Sequence, residues 1–158
     1  MSVRGFDHVA LPAREPEALI AFYRRLGFPI IHEDEWRAGD WPLFAIQVGD
    51  HAKINFHSPQ MWQNPDFEAK GPTALPGCGD LCFVFDGTIE EAEKLIREAG
   101  AEIAYGPIDQ PGGGEAGRRM GTSVYTRDPD GNLLEFMTYP AAGRGDWSAQ
   151  GGAGASSE

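Results

Sequence analysis

Six side chains in this sequence carry groups suited to polar or metal chemistry on a common surface: His8, Asn55, His57, Asp80, Tyr125 and Glu135. Imidazole with carboxylate oxygens suits Fe(II), Mn(II), Ni(II), Co(II) or Zn(II), and the geometry of the set decides among these ions more than raw affinity does. Each residue lies in a short run that alternates apolar and polar positions. His8 is in FDHVAL (6–11), Asn55 and His57 in KINFH (53–57), Asp80 in DLCFVF (80–85), and Tyr125 and Glu135 in SVYTR (123–127) and NLLEFMTY (132–139). Alternation with period two predicts strands, on which residues two apart share a face. Asn55 then lies beside His57, Glu135 beside Met137 and Tyr139, and Tyr125 beside Ser123 and Arg127. Asp80, Cys82 and Val84 take the face opposite Leu81, Phe83 and Phe85, and His8 shares its face with Phe6 and Ala10. A lone histidine on an apolar strand is ordinarily a satisfied hydrogen-bonding residue, so position alone does not make His8 a ligand.

Other conspicuous groups have simpler readings. Arg118 and Arg119 stand in a glycine-rich stretch, GPIDQPGGGEAGRRMG (106–121), read as a mobile flap or a disordered loop. A guanidinium there can clamp a carboxylate or phosphate with two parallel hydrogen bonds, or simply be solvated. Trp36, Trp41 and Trp62 supply aromatic surface for a pocket mouth or a dimer interface. Cys78 and Cys82 in one strand would stand roughly 13 Å apart, beyond the ~7 Å a disulfide allows, and are read as reduced core or pocket residues. His32 and His51 are read as surface residues.

The elements that must position these groups come in the same order twice. A strand at 6–11 leads into a helix, EPEALIAFYRRLGF, stopped by Gly27, and then into strands at Pro29–His32, Leu43–Val48 and Lys53–His57. A strand at 80–85 leads into the helix TIEEAEKLIREAG, which has a capping box in Thr88 and Glu91 and a stop at Gly100. Strands at 101–105, 122–127 and 132–139 follow, the last two joined by the tight-turn signal DPDGN (128–132). The pattern predicts an α+β fold of two βαβββ modules, forming a curved, cavity-enclosing mixed sheet with helices on its convex side. One domain spans 1–140, with module one at 4–58, a linker at 59–77 and module two at 78–140. The Gly/Ala/Ser-rich tail 141–158 is read as disordered.

A chain of 158 residues with 41% apolar content can bury one core, and no apolar run reaches the roughly 18–20 residues that cross a bilayer. The first residues lack the apolar stretch of a signal peptide, which predicts a cytoplasmic protein. A formal charge of −11 repels polyanions and argues against nucleic acid and anionic membrane as partners.

The opening FDHVALPAREPEALIAFYRRLGF, the segment KINFH and the segment SVYTRDPDGNLLEFMTY resemble the glyoxalase/bleomycin-resistance/extradiol-dioxygenase superfamily, also called vicinal-oxygen-chelate proteins. The nearest likeness is to its small glyoxalase-domain, virulence-associated branch, over residues 4–140. The resemblance implies a divalent metal held by residues on the first and last strands of each module. His8 and Glu135 match ligand positions. Asp80 stands where many members have histidine, Asn55 where lyase members have glutamate, and His57 lies two residues on. It implies Glu135 as a catalytic group and His8, Asp80, Glu135 and His57 toward the metal; the placement of the residues themselves adds Tyr125 as a catalytic donor, with His57, Asn55, Tyr125 and Arg119 against the substrate. The implied activity is a metal-dependent reaction on a small substrate that chelates through vicinal oxygens, in a homodimer. The alternative is a small-molecule-binding resistance protein without catalysis.

Overall fold

The alternating runs of the first half build a sheet with one apolar and one polar face. The computed structural model describes Val3 and residues 5–140. Strand β1 (His8–Pro12) leads into helix α1 (Pro16–Arg25). The helix opens with Pro at its first turn and Glu17 near its positive end, and closes on Arg24 and Arg25. Gly27 then leaves at φ +86°, a conformation that stops the helix cheaply only for glycine. Strand β2 (Ile30–Ile31), a short helix α2 (Glu33–Ala38), strands β3 (Leu43–Val48) and β4 (Ala52–His57) and a single turn α3 (Pro59–Trp62) complete the first module. The second module comprises β5 (Asp80–Val84), α4 (Ile89–Glu98), β6 (Tyr105–Pro111), β7 (Met120–Arg127) and β8 (Leu133–Thr138). The predicted capping box forms on α4, where Thr88 and Glu91 satisfy each other's backbone N–H.

Each module is a four-stranded sheet, ordered β1-β4-β3-β2 and β5-β8-β7-β6. The first and last strands of each module run parallel, and the remaining pairs are antiparallel. The α+β class, the repeat and the flanking helices are as the sequence predicts. The single enclosing sheet is not: the chain forms two sheets that do not close into a barrel. Their backs share one core, with Leu11, Phe44, Ile46, Ile54 and Phe56 from the first and Phe83, Val124, Leu134 and Phe136 from the second. Phe28 and Phe83 meet across the seam with ring centroids 5.0 Å apart.

The DPDGN loop fastens the modules together. The Asp128 carboxylate accepts from Tyr23 Oη (2.9 Å), from the N–H groups of Asp130 (3.0 Å) and Asn132 (2.9 Å), and from Asn132 Nδ2 (2.7 Å). Asn132 Oδ1 accepts from the Gly79 N–H at 2.8 Å. Asp130 accepts from the N–H groups of Arg14 (2.6 Å) and Glu15 (3.1 Å), fixing the entry to α1, whose own N-cap residue makes no side-chain cap.

Two expectations need correction. Residues 101–104 are not strand; β6 begins at Tyr105 and runs to Pro111, through the first part of the stretch read as a flap. Pro107 and Pro111 disguise it, but β6 is an edge strand, where prolines leave no sheet bond unmade. The rest of the flap is a strap: Gly112 N–H donates to Arg119 O (2.8 Å), and the Arg119 guanidinium lies 4.3 Å from the Tyr139 ring centroid. A side chain at Gly112 would collide with Tyr139 and Met137, so the strap lies flat on β8. The tail 141–158, read as disordered, lies outside the described residues. Among the described residues no helix is long and apolar enough to cross a membrane.

Candidate functional site

The front of the first sheet carries His8, Asn55 and His57. His8 Nδ1–H donates to Asp7 Oδ1 at 2.5 Å, and that bond holds the Asp7 carboxyl below its ordinary range. The ring is thereby engaged through Nδ1, as in a metal-ligating histidine steadied by a carboxylate. Sequence parity placed Asp7 on the opposite face and gave no hint of this bond. Asn55 stands in register with Ala10 on one side and Ala45 on the other, neither of which has a side chain to donate. It is 8% exposed, and its Oδ1 has no hydrogen-bond partner. A buried carbonyl oxygen left unbonded costs about 1–3 kcal/mol, so this one is built to receive a donor or a cation that the chain does not supply.

His57 is buried against the linker. Phe67 meets its ring edge-on at 5.2 Å, Trp62 Nε1 donates to Ala13 O at 2.9 Å, and Lys70 Nζ bonds Trp62 O at 2.5 Å. Trp62 and Lys70, with Ala69, Gly71 and Ala74, roof a cavity of about 260 Å³ over His57, Ala10 and Pro12. Of the linker, the sequence reading singles out only Trp62, as aromatic surface for a pocket mouth or a dimer interface; nothing in the irregular composition around it announces a roof.

Desolvation, and then the neighbouring His8, hold His57 below its ordinary pKa of 6.5. The unfolded chain therefore takes up this proton at a higher pH than the folded one. The stability that His57 contributes is complete above about pH 6.5 and is lost as pH falls toward its folded value. Urea midpoints should drop between about pH 7.5 and 5.5, and His57→Gln should shrink that drop. An identical drop in the variant would remove His57 from the account.

The front of the second sheet carries the other group. Glu135 Oε1 accepts from Ser123 Oγ and from Gln110 Nε2, both at 2.5 Å. The same Gln110 amide reaches Tyr125 Oη at 2.5 Å. Burial, with Glu135 nearby, raises the Tyr125 pKa, which keeps it a phenol and a donor at neutral pH. Ser123 was legible by parity; Gln110 was hidden in the supposed flap. Cys82 is in register with Glu135 and reaches solvent. Burial first, then the charges of Glu135 and Asp80, push its thiol up to about 12. A thiol is reactive only as thiolate. At neutral pH iodoacetamide should therefore alkylate exposed Cys78 well before Cys82, and Glu135→Gln should speed the Cys82 reaction. Mass-resolved labelling that shows equal rates would contradict this.

The registers relate the two fronts. Ala10 pairs with Asn55 as Cys82 pairs with Glu135, so Asn55 and Glu135 are equivalent positions, and His8 is equivalent to Asp80. Within one chain, His8 interacts with Asp7 and His57, whereas Asp80, Cys82, Tyr125 and Glu135 cluster on the other sheet. His8 and Glu135, which the sequence reading gathers toward one cavity, therefore stand on two different sheets of the chain. Among the described residues no three His, Cys, Asp or Glu side chains are placed to hold a common metal ion. Arg119 is engaged with Tyr139 on the strap, beside the second group.

Residues 5–136 match the sequence profile described as Glyoxalase/Bleomycin resistance protein/Dioxygenase superfamily. A glyoxalase domain-containing protein, RDO1, of Mycosarcoma maydis is 34% identical over 142 residues, covering 90% of this chain and 72% of the relative. The virulence protein STM3117 of Salmonella typhimurium is 34% identical over 140 residues, 88% of this chain and 87% of the relative. The crystal structure of STM3117 aligns with a TM-score of 0.71 at 33% identity, over 89% of this chain and all of that one (100%). The integron cassette protein VCH_CASS1, from the mobile metagenome of V. cholerae, aligns with the same TM-score of 0.71 at 33% identity, over 89% and 98% of the two chains. Sequence and fold agree, and the chain belongs to the glyoxalase/bleomycin resistance protein/dioxygenase superfamily.

Proposed function

We propose that the protein is a divalent-metal-dependent enzyme of the glyoxalase/dioxygenase type, acting on a small substrate through two vicinal oxygens. Its site is completed between two copies of the chain. One observation carries this reading: the unbonded, buried Oδ1 of Asn55 shares a sheet with a histidine already bonded to a carboxylate, on a front that lacks the remaining groups. Those groups, Glu135 and Asp80, occupy the equivalent positions of the other module. His8, with His57 behind it, would meet Asp80 and Glu135 of a second chain around the ion. β1 and β5 are the outer strands of their sheets, flanked by exposed Phe6 and Val84, so a dimer that sets β1 against β5 would cover both.

The ion, when bound, would supply Lewis-acid polarisation of the substrate oxygens. The chain's own residues do the rest. Asp7 fixes the His8 ring. Neutral His57 and the Asn55 carbonyl hold the substrate's polar edge. Glu135, kept in place by Ser123 and Gln110, takes or gives a proton, and the Tyr125 phenol donates a hydrogen bond to developing negative charge. Arg119 on the strap binds an acidic substituent from the side. A neutral amide at position 55 removes a carboxylate from the set, which argues against glutathione-dependent isomerisation.

Titration of untagged, metal-free protein with Co(II) or Mn(II), combined with sedimentation equilibrium, tests the reading. About one ion per chain and a dimer are expected. A dimer that takes up no ion leaves the alternative, small-molecule binding without catalysis. A monomer that binds an ion would end the shared-site geometry.

A further inference from the structure

Helix α2 poses a problem that the site above does not solve: it buries none of its side chains, yet its position is heavily constrained. The chain enters it through His32 at φ +61°, a left-handed conformation that a non-glycine residue adopts only at a cost, and leaves through Gly39 at φ +80°. An ion-pair network then pins it to α1. Arg37 bonds Glu17 through both terminal nitrogens and reaches Glu33 at 2.9 Å, while Glu33 also accepts from Arg24. Charge networks contribute little to stability at an exposed surface, but they fix orientation well.

What this fixes is a wall. Trp36 and Trp41, presented by α2 and the turn after it, face Met61 and Phe67 across a cavity of about 780 Å³, with the amides of Gln60 and Asn64 at its edge. The volume lies within the range of small-molecule sites, about 300–1,000 Å³. Trp36 is itself backed by Phe44, with ring centroids 5.5 Å apart, and Trp41 lies against His32 at 5.8 Å. The charged residues on the rim, Glu17 and Arg37, neutralise each other, so the lining carries no net charge.

We propose that this cavity is a second ligand site, separate from the paired fronts, and that it takes a neutral, planar aromatic small molecule held between the two indoles with its polar edge on Gln60 and Asn64. Flat apolar walls favour stacking and desolvate any charge the ligand brings, while the two amides offer both a donor and an acceptor. Phe67 links it to the metal-type site, since the ring that closes one side of this cavity also packs on the edge of His57.

The test is binding of acridone to the full-length protein, followed by tryptophan quenching and by calorimetry, with naphthalene-2-sulfonate and 2-naphthylammonium as charged counterparts. Saturable binding of acridone is expected, with both charged probes at least about fivefold weaker. Trp41→Ala, at a half-exposed position, should weaken acridone about tenfold. Because Trp36 supports Phe44 and its loss threatens folding, Gln60→Trp serves as the second variant: it fills the cavity and should block the probe while leaving the thermal midpoint in place. His8→Ala and metal removal should change nothing here, which separates this proposal from the shared metal site. Absence of saturable acridone binding, full affinity in Trp41→Ala and Gln60→Trp, or equal binding of the charged probes would each overturn it.

Discussion

Asp128→Ala is expected to destabilise the protein by about 3 kcal/mol, read as a lowered urea midpoint with little change in slope. The carboxylate accepts four hydrogen bonds, and two of the residues that donate them, Tyr23 and Asn132, are fully buried. Truncation leaves those donors with no acceptor, which costs more than the loss of one bond between groups that can both find water. It also loosens Asn132, whose Oδ1 holds the Gly79 N–H just before β5, and Asp130, which holds the entry to α1. Tyr23→Phe removes one donor together with its bond and should cost about 1 kcal/mol. Asp130→Ala, which removes a cap-like contact, should cost a similar amount, about 1 kcal/mol. If Asp128→Ala costs no more than Tyr23→Phe, the loop is a turn and not a fastener between modules.

This loop shows how much the sequence disclosed and where it fell silent. DPDGN reads as a tight turn because Asp and Gly accept the backbone conformations that turns need, and the turn is there. That its side chains reach Tyr23 and the entry to α1 in the other module depends on how the two modules pack, which no local pattern encodes. The same division holds at the site. Strand parity put Asn55 with His57 and Glu135 beside Tyr139, since period-two alternation survives in any sheet with one dry face. The partners that tune those groups were invisible: Asp7 against the parity rule, Gln110 from a stretch whose prolines and glycines conceal an edge strand, and Phe67 from a linker without periodicity. Above all, periodicity says that a side chain faces front and not whose front it meets. Parity set the faces of His8 and Glu135 and left open whether one chain closes the cavity alone or a second chain completes it.

The sharpest consequence of the proposed shared site is a result from mixed chains. His8→Ala and Glu135→Gln, each alone, should weaken Co(II) binding at least about a hundredfold, since loss of a ligand exceeds the 10–100-fold that loss of an outer-shell partner costs. Neither side chain belongs to the core, so both variants should fold: His8 is exposed, and Glu135→Gln keeps shape and the bond from Ser123. Refolding the two variants together at equal amounts then separates the geometries. If the site lies within one chain, every site in the mixture lacks a ligand and affinity stays low. If it lies between chains, a mixed dimer has one site missing both groups and one site with His8 and Asn55 from the Glu135→Gln chain and Asp80 and Glu135 from the His8→Ala chain. Random pairing makes about half the dimers mixed, so about a quarter of all sites should regain wild-type affinity. Turnover, once a substrate is found, should return in the same proportion. Recovery of that fraction requires that the oriented histidine and the unbonded Asn55 oxygen of one chain face the carboxylate of another, and a mixture that binds as the mean of its parents would show that they do not.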